Sequence, residues 1–340
     1  MPGKTEIKNP RTLKEIFRTF KKLKVLIIGD VMVDSYLWGK VERISPEAPV
    51  PVVCVEKREY RLGGAANVAL NVQSLGATPI LCSMIGNDAD GDHFLKLLKQ
   101  NTLISKGILR SKSRVTTIKH RVISGSQHIL RVDSEIDSHL NPSEERNLIK
   151  TAKKLIAICD VVIFEDYDKG TISKNVIEEI IQYCSKKNIP TVVDPKKRNF
   201  LNYKNASLFK PNRKEMKEGL KLDSDLKDIK QIQTAVSLLK KKLHNETVLI
   251  TLSEKGMYID QDKEKHLVPA HLREICDVSG AGDTVVSVAA LCYALKVPPK
   301  FLARLSNLAG GIVCEHIGVV PIDKDALLKE AENLKLHEEL

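Results

Sequence analysis

The sequence predicts an α/β protein with a mostly parallel central sheet covered by helices on both faces, and a small β-sheet lid. Three observations carry this. From residue 64 onward, strand-like and helix-like patterns alternate along the chain. The strand-like runs are continuously apolar rather than alternating, which suits strands buried on both faces. Two stretches, "VPVVCVEKREYRL" (50–62) and "TTIKHRVISGSQHILRVD" (116–133), alternate and are β-branched where helices would be due, so they read as strands of a separate small sheet.

Residues 1–22 are polar with a short helical pattern at Leu13, Ile16, Phe17 and Phe20, and read as a helical extension. "KVLIIGD" (24–30) is the first buried strand, closed by Gly29 and Asp30. "NVALNVQSLG" is a helix ended by Gly76, "PILCSMIG" a strand and "DGDHFLKLLKQN" a helix. "DVVIFED", "SKNVIEEIIQYCSKKN", "PTVVDP", "DLKDIKQIQTAVSLLKKKL" and "TVLITLS" continue the rhythm. One domain over 23–330 is expected, with lid strands from about 36–62 and 112–135 and a tail at 331–340.

Composition narrows the function classes. Of 340 residues 42% are hydrophobic and 29% charged, so the chain buries a sizeable core. The net charge of +11 suits anionic ligands, but aromatics are only 4% and no basic stripe is interleaved with them, which argues against nucleic acid. Seven cysteines are scattered without a C-x-x-C pair, as expected of reduced core thiols in the cytoplasm. The opening "MPGKTEIKNPRTLKEIF" lacks an apolar signal core and "TVVSVAALCYALKV" is too short and polar for a bilayer, so no membrane association is expected. Walker A and G-x-G-x-x-G sequences are absent, which disfavours a P-loop NTPase and a Rossmann dehydrogenase.

In sheets of this kind ligands bind beyond the carboxyl ends of the strands. Polar residues fall there repeatedly: Asp30 and Asp34, Glu165 and Asp166, Asp194, Asn212 and Glu215, and Ser253. The stretch "DVSGAGDT" (277–284) adds a small-residue loop, Gly280–Ala281–Gly282, running into Asp283 and an apolar helix. The loop N–H groups and the helix N-terminus make an anion hole. A carboxylate beside it is a poor phosphate ligand but a useful base for a hydroxyl that attacks phosphorus. The pair predicts phosphoryl transfer to an alcohol. Lys119, Arg121, Arg131, Lys169, Lys196 and Arg198 are candidate cations for a substrate phosphate, Arg131 favoured for its place beside Asp133 in the lid. Nine histidines show no ligand spacing, and His120, His128 and His316 read as structural.

At these residues the chain resembles the ribokinase-like, PfkB-type carbohydrate kinases, through "GGAANVALNVQSLG", "PNRKE" and G-A-G-D over about 24–325. The resemblance implies a three-layer α/β sandwich whose β lid often forms a dimer interface. "RISPEAPVPVV", "TTIKHRV", "QHILRVD", "EDYDKG", "VDPK" and "DVSGAGDT" together are similar to the D-glycero-β-D-manno-heptose 7-phosphate kinases, which make the 1,7-bisphosphate for ADP-heptose and lipopolysaccharide. Some relatives fuse a nucleotidyltransferase; with Leu340 last, the kinase part alone is expected.

By that resemblance Asp283 is the base and Gly280, Ala281 and Gly282 the anion hole. Asn212, Arg213, Lys214, Glu215, Thr251, Ser253, Gly256 and Asn307 fall on the ATP side, with magnesium near Glu215, directly or through water. Asp34, Gly63, Gly64 and Asn67 match sugar-binding positions; Lys119, Arg121, Arg131, Asp133, Lys169 and Lys196 complete the expected sugar-phosphate site. Asp277 and "EHIGVV" match a monovalent-cation loop, with potassium expected. Two departures stand out: Asp168 replaces the glycine of D-Y-G-K-G, and Gly318-Val319 replaces Gly-Thr. The rival readings are another ribokinase-like kinase, for fructose 6-phosphate or a plain sugar, and a catalytically silent sugar or nucleotide sensor.

Overall fold

The computed structural model describes residues 12–125, 127–271 and 273–340. Helix α1 (Leu13–Phe20) opens them, held by a capping box between Thr12 and Glu15. Its Leu13, Ile16, Phe17 and Phe20 follow helical spacing and all are buried. Rather than hanging off the domain, this part of the 1–22 stretch joins its core; residues 1–11 lie outside the described residues.

Strand β1 (Lys24–Gly29) leads into the ribbon β2 (Val31–Ile44) and β3 (Pro51–Gly64). Helix α2 (Ala65–Ser74), β4 (Thr78–Gly86), α3 (Ala89–Gln100) and β5 (Ile104–Ser111) follow. Strands β6 (Ile118–Ser124) and β7 (Gln127–Ser134) interrupt the alternation, which resumes with α4 (Pro142–Ile156), β8 (Val161–Glu165), α5 (Lys174–Lys186) and β9 (Thr191–Asp194). Then come β10 (Leu208–Phe209), α6 (Arg213–Leu220), α7 (Ile229–Leu243), β11 (Thr247–Thr251), β12 (Met257–Gln261) and β13 (Glu264–Val268). Helices α8 (Ala281–Ala294), α9 (Pro299–Val313) and α10 (Lys324–Asn333) close the chain.

Nine strands form the main sheet in the order β13-β12-β11-β10-β9-β8-β1-β4-β5. All its neighbours pair in parallel except β11–β12 and β12–β13. One apolar core lies between the sheet and α1, α2, α3, α8, α9 and α10; the second lies between the other face and α4, α5, α6 and α7. The expected three-layer sandwich is therefore the observed fold, and the antiparallel edge pair β12–β13 is a feature the sequence pattern did not disclose.

The lid is the second sheet, in the order β3-β2-β6-β7. Its register places Asp34 between Arg61 and Lys119, and Tyr36 between Glu59 and Arg121. Across the next pair Lys119 faces Asp133 and Arg121 faces Arg131. Side chains two apart share a face, so one face of the lid gathers these charges. The other carries Leu130 and Val132, both exposed.

Candidate active site

Gly280 stands at the N-cap of helix α8, and its φ of +81° is a left-handed conformation that a side chain rarely adopts. No side chain caps this N-terminus; Ala281 N–H donates to the Val278 carbonyl, which leaves the N–H groups of Gly282 and Asp283 as donors for an anion. Asp283 sits in that first turn, buried. Its Oδ2 accepts from Asn67 Nδ2 at 2.7 Å and its Oδ1 from the Tyr167 hydroxyl at 2.8 Å. Burial pushes the carboxyl up to about 6, against the two hydrogen bonds that favour the charged form. A base poised there is ionised at neutral pH yet still basic enough to take a proton.

Beside it opens a cavity of about 480 Å³, at the carboxyl ends of β8, β9 and β11. Asp283, Gly280 and Gly282 line one side; Asn212, Arg213, Lys214, Glu215, Thr251 and Ser253 line the other. Gly282 lies against the Asp194–Lys210 pair: a Cβ there would stand in ordinary contact, 3.7 Å from Asp194 Oδ2 and 3.8 Å from Lys210 Nζ. Lys210 is buried and paired with Asp194 at 2.8 Å. Lys196 pairs with Glu215 at 2.7 Å. Burial works against the charge of Lys196, but Asp194 and Glu215 outweigh it and keep it protonated. Beneath them Glu165 is wholly buried, with neither carboxylate oxygen hydrogen-bonded, and burial with the nearby Asp194 raises it well above the usual range.

The N-terminus of α6 explains the 211–215 stretch. Asn212 caps the helix through Glu215 N, and Glu215 Oε2 accepts from Asn212 N at 2.8 Å. With Oε1 on Lys196, both oxygens of Glu215 are engaged, so a metal near it would be met through water. Among the described residues no three His, Cys, Asp or Glu side chains cluster as a metal cage. That donor chemistry, scattered carboxylates beside a cavity, fits a magnesium ion that keeps most of its waters.

The 166–171 loop takes its path from Asp30, which accepts N–H bonds from Tyr167, Lys169 and Thr171 at 2.9, 3.0 and 3.0 Å. Asp168, at the usual glycine position, has φ +55°, a conformation that aspartate tolerates, and its N–H donates to Asp166 Oδ1. The substitution therefore keeps a glycine-like turn. Burial raises Asp166 to about 7, with the nearby Asp30 charge adding to it.

In the lid Asp34 is buried and accepts from Arg121 Nη2 at 2.8 Å. Burial raises its carboxyl; Arg121 opposes that. A Cβ on Gly63 would fall 2.2 Å from Asp34 Oδ2, and Gly64, at φ +59°, would meet the Asp30 carbonyl. Lys119 bonds to Asp133 and Glu135, and Lys169 to Glu135 at 2.6 Å. Arg131, favoured from the sequence, keeps 57% of its side chain exposed and pairs with Asp133 at 3.0 Å. Lys196 is placed apart from these lid cations, on the Glu215 side, and Arg198 binds Asp137.

Asp277 ties two loops together, accepting from Ser279 N and Gly318 N at 2.9 Å each. Burial opposes its charge, but those bonds outweigh it and hold the carboxyl low. Gly256 and Asn307 do not line the cavity. Gly256, at φ +85°, turns the chain against Val268, and Asn307 Nδ2 donates to the Pro269 carbonyl at 2.8 Å.

Sequence reasoning missed Tyr167, Lys210 and Arg61. Tyr167 and Lys210 follow strand ends, the positional signal that found their neighbours. Arg61 lies in the lid register opposite Asp34 and reaches the Val319 carbonyl at 3.3 Å, a pairing that only register discloses.

The model of the pfkB family carbohydrate kinases matches residues 22–325. The bifunctional protein HldE of Helicobacter acinonychis (strain Sheeba) is 39% identical over 297 residues, 87% of this chain. The chain spans 63% of that relative's length. The Escherichia coli phosphofructokinase-2 in complex with potassium superposes with TM-score 0.77 at 18% identity, over 92% of this chain and 99% of that one. Arabidopsis thaliana ribokinase complexed with ribose and ATP does so with TM-score 0.71 at 14% identity, over 90% and 99%. At such identity these two establish the fold alone.

Proposed function

The chain belongs to the pfkB family of carbohydrate kinases, and from that premise we propose that it transfers the γ-phosphoryl group of ATP to the anomeric hydroxyl of a heptose 7-phosphate. The observation that carries the kinase chemistry is Asp283, buried at an uncapped helix N-terminus on the edge of a cation-lined cavity. The hydroxyl oxygen attacks Pγ, its proton passes to Asp283, and the bond from Pγ to ADP breaks with its electrons leaving on ADP. The N–H groups of Gly282 and Asp283 and the Lys210 ammonium stabilise the charge that develops on the phosphoryl oxygens. Asp34 and the glycines beside it orient the sugar.

Magnesium, when bound, neutralises the triphosphate charge, and Glu215 would hold it through water. Asp277, kept ionised between the anion-hole loop and the 315–320 loop, suits a monovalent cation, for which we propose potassium.

The choice of a phosphorylated sugar rests on the lid. Arg121 lies directly opposite Arg131, with Lys119 and Arg61 on the same face. Asp34 and Asp133 each neutralise one of the facing pair, and a substrate phosphate between them would add a bridging anion to the like charges opposed across the ladder. The narrower likeness of "RISPEAPVPVV", "EDYDKG" and "VDPK" to heptose 7-phosphate kinases selects the sugar. The exposed Leu130 and Val132 on the lid's other face support a homodimer formed there. No helix among the described residues is long and apolar enough to cross a membrane.

The test is ADP release over a panel of heptose 7-phosphate, the unphosphorylated heptose and fructose 6-phosphate. The heptose 7-phosphate should give the highest kcat/KM. A preference for fructose 6-phosphate or for the plain heptose would replace the substrate while leaving the kinase reading in place, and silence with every sugar would favour a sensor.

A further inference from the structure

We propose that Tyr167 is a positioning residue that caps Asp283 until the acceptor hydroxyl arrives, and so suppresses phosphoryl transfer to water. The inference rests on the reading of Asp283 as base. Each oxygen of Asp283 has one donor, and the two donors differ in kind. Asn67, on Oδ2, belongs to a buried helix and is itself wholly buried, so it stays. Tyr167, on Oδ1, belongs to a loop and lines the cavity. Its hydroxyl offers Oδ1 the same O–H donor that a sugar offers. It occupies the acceptor's place.

The loop is built to hold the cap and to release it. Asp30 fixes the backbone N–H groups of Tyr167, Lys169 and Thr171, so the hydroxyl leaves Oδ1 by side-chain rotation without moving the chain. The Lys196 ammonium lies 5.2 Å from the ring centroid and keeps the ring seated in the cavity. Two residues on, Lys169 bonds to Glu135, next to the lid strand β7. The cap and a lid contact thus sit on one short loop, and sugar binding at the lid meets the element that must yield. Burial and the Asp283 charge raise the Tyr167 phenol well above its ordinary value, so it remains a donor throughout.

The reaction held back is hydrolysis. A water oxygen bonds to Pγ, its proton passes to Asp283, the bond to ADP breaks with its electrons on ADP, and phosphate departs. A water hydrogen-bonded to Oδ1 is the nucleophile this requires, and Tyr167 fills its place.

The test uses the full chain with ATP and magnesium, measuring phosphate release without any sugar, and ADP release with D-glycero-D-manno-heptose 7-phosphate. In Tyr167→Phe sugar-free hydrolysis should rise at least about tenfold, the lower end of the worth of one hydrogen bond to a charged group. Loss of a donor to the carboxylate also raises Asp283, so half-maximal transfer should move to higher pH. Tyr167→Leu, which removes the ring as well, should raise hydrolysis at least as much. Hydrolysis at or below the wild-type rate in both variants overturns the cap. Asp283→Asn separates the two ideas: if it abolishes transfer while both Tyr167 variants are flat, only the cap fails. If it leaves transfer intact, the base reading fails and the cap with it.

Discussion

Asn67 and Asp283 stand 216 positions apart in the chain, yet Asn67 Nδ2 lies 2.7 Å from Asp283 Oδ2. The contact joins α2, the helix that follows the first lid ribbon, to α8, whose N-terminus carries the proposed anion hole. Asn67 holds one oxygen of the carboxylate and favours its charged form. Asn67→Ala should therefore lower kcat and move the acidic limb of the pH–rate profile upward from about 6. A profile of kcat/KM from pH 5 to 8 reads both effects, and an unmoved limb assigns Asn67 to packing alone.

Asp283→Asn is nearly isosteric and removes the proposed base. Turnover should fall by about 10²–10⁴, the range for general-base catalysis. ATP affinity, measured by calorimetry, should stay within a few-fold. Turnover within tenfold of wild type removes Asp283 from the role.

Stability should decline as pH rises from 5 to 8. Glu165, Asp166 and Asp283 are all raised by burial, so the folded state holds protons that the unfolded state releases. Their stabilising contribution is full below the unfolded carboxylate range and is lost as pH climbs toward the folded values. Asp166, near 7 when folded, titrates within this window and contributes to the decline. Glu165→Gln replaces a carboxyl whose oxygens have no partner, so its urea midpoint should exceed wild type more at pH 8 than at pH 5. An equal gain at both pH values would show that Glu165 does not titrate on unfolding.

Much of this was readable from sequence because it is local. The buried strands announce themselves by continuous apolar runs, the lid by alternation, and the G-A-G-D turn by the glycines that its helix entry demands. What escaped depends on distance. The Tyr167–Asp283 bond spans 116 positions, and nothing near Tyr167 marks a partner there. Helix α1 shows its apolar stripe plainly, but its neighbour α10 lies at the other end of the chain. The pairing of Lys119, Lys169 and Arg131 with Asp133 and Glu135 follows from lid register and loop closure, so counting cations could not tell which of them an anion meets first.

Asp277 should govern any response to monovalent cations. It bridges Ser279 N and Gly318 N, so its loss should loosen the loop ahead of α8. Wild type should turn over faster in potassium than in a bulky organic cation, and Asp277→Ala should abolish the difference. Equal wild-type rates in the two salts would exclude the cation site while leaving the loop-bridging role of Asp277 intact.

On the proposed reading the lid cations decide between a phosphorylated and a plain sugar, and their surroundings rank them. Arg121 is largely covered, bonded to the buried Asp34, and lies 5.9 Å from the Tyr36 ring centroid. Arg131 is more than half exposed, so water screens it. If the cluster grips a sugar phosphate, Arg121→Met should weaken heptose 7-phosphate binding by about 1.5–3 kcal/mol, the range for hydrogen bonds to charged groups. Arg131→Ala should cost less. Because Arg121 also holds Asp34, part of the Arg121 loss will appear with the unphosphorylated heptose, and only the difference between the two sugars reports on the phosphate. Calorimetry with both sugars, wild type against each variant, gives that difference directly. Should Arg121→Met weaken the two sugars equally, Arg121 serves Asp34 alone; should wild type also bind them equally, the plain-sugar kinase becomes the better reading.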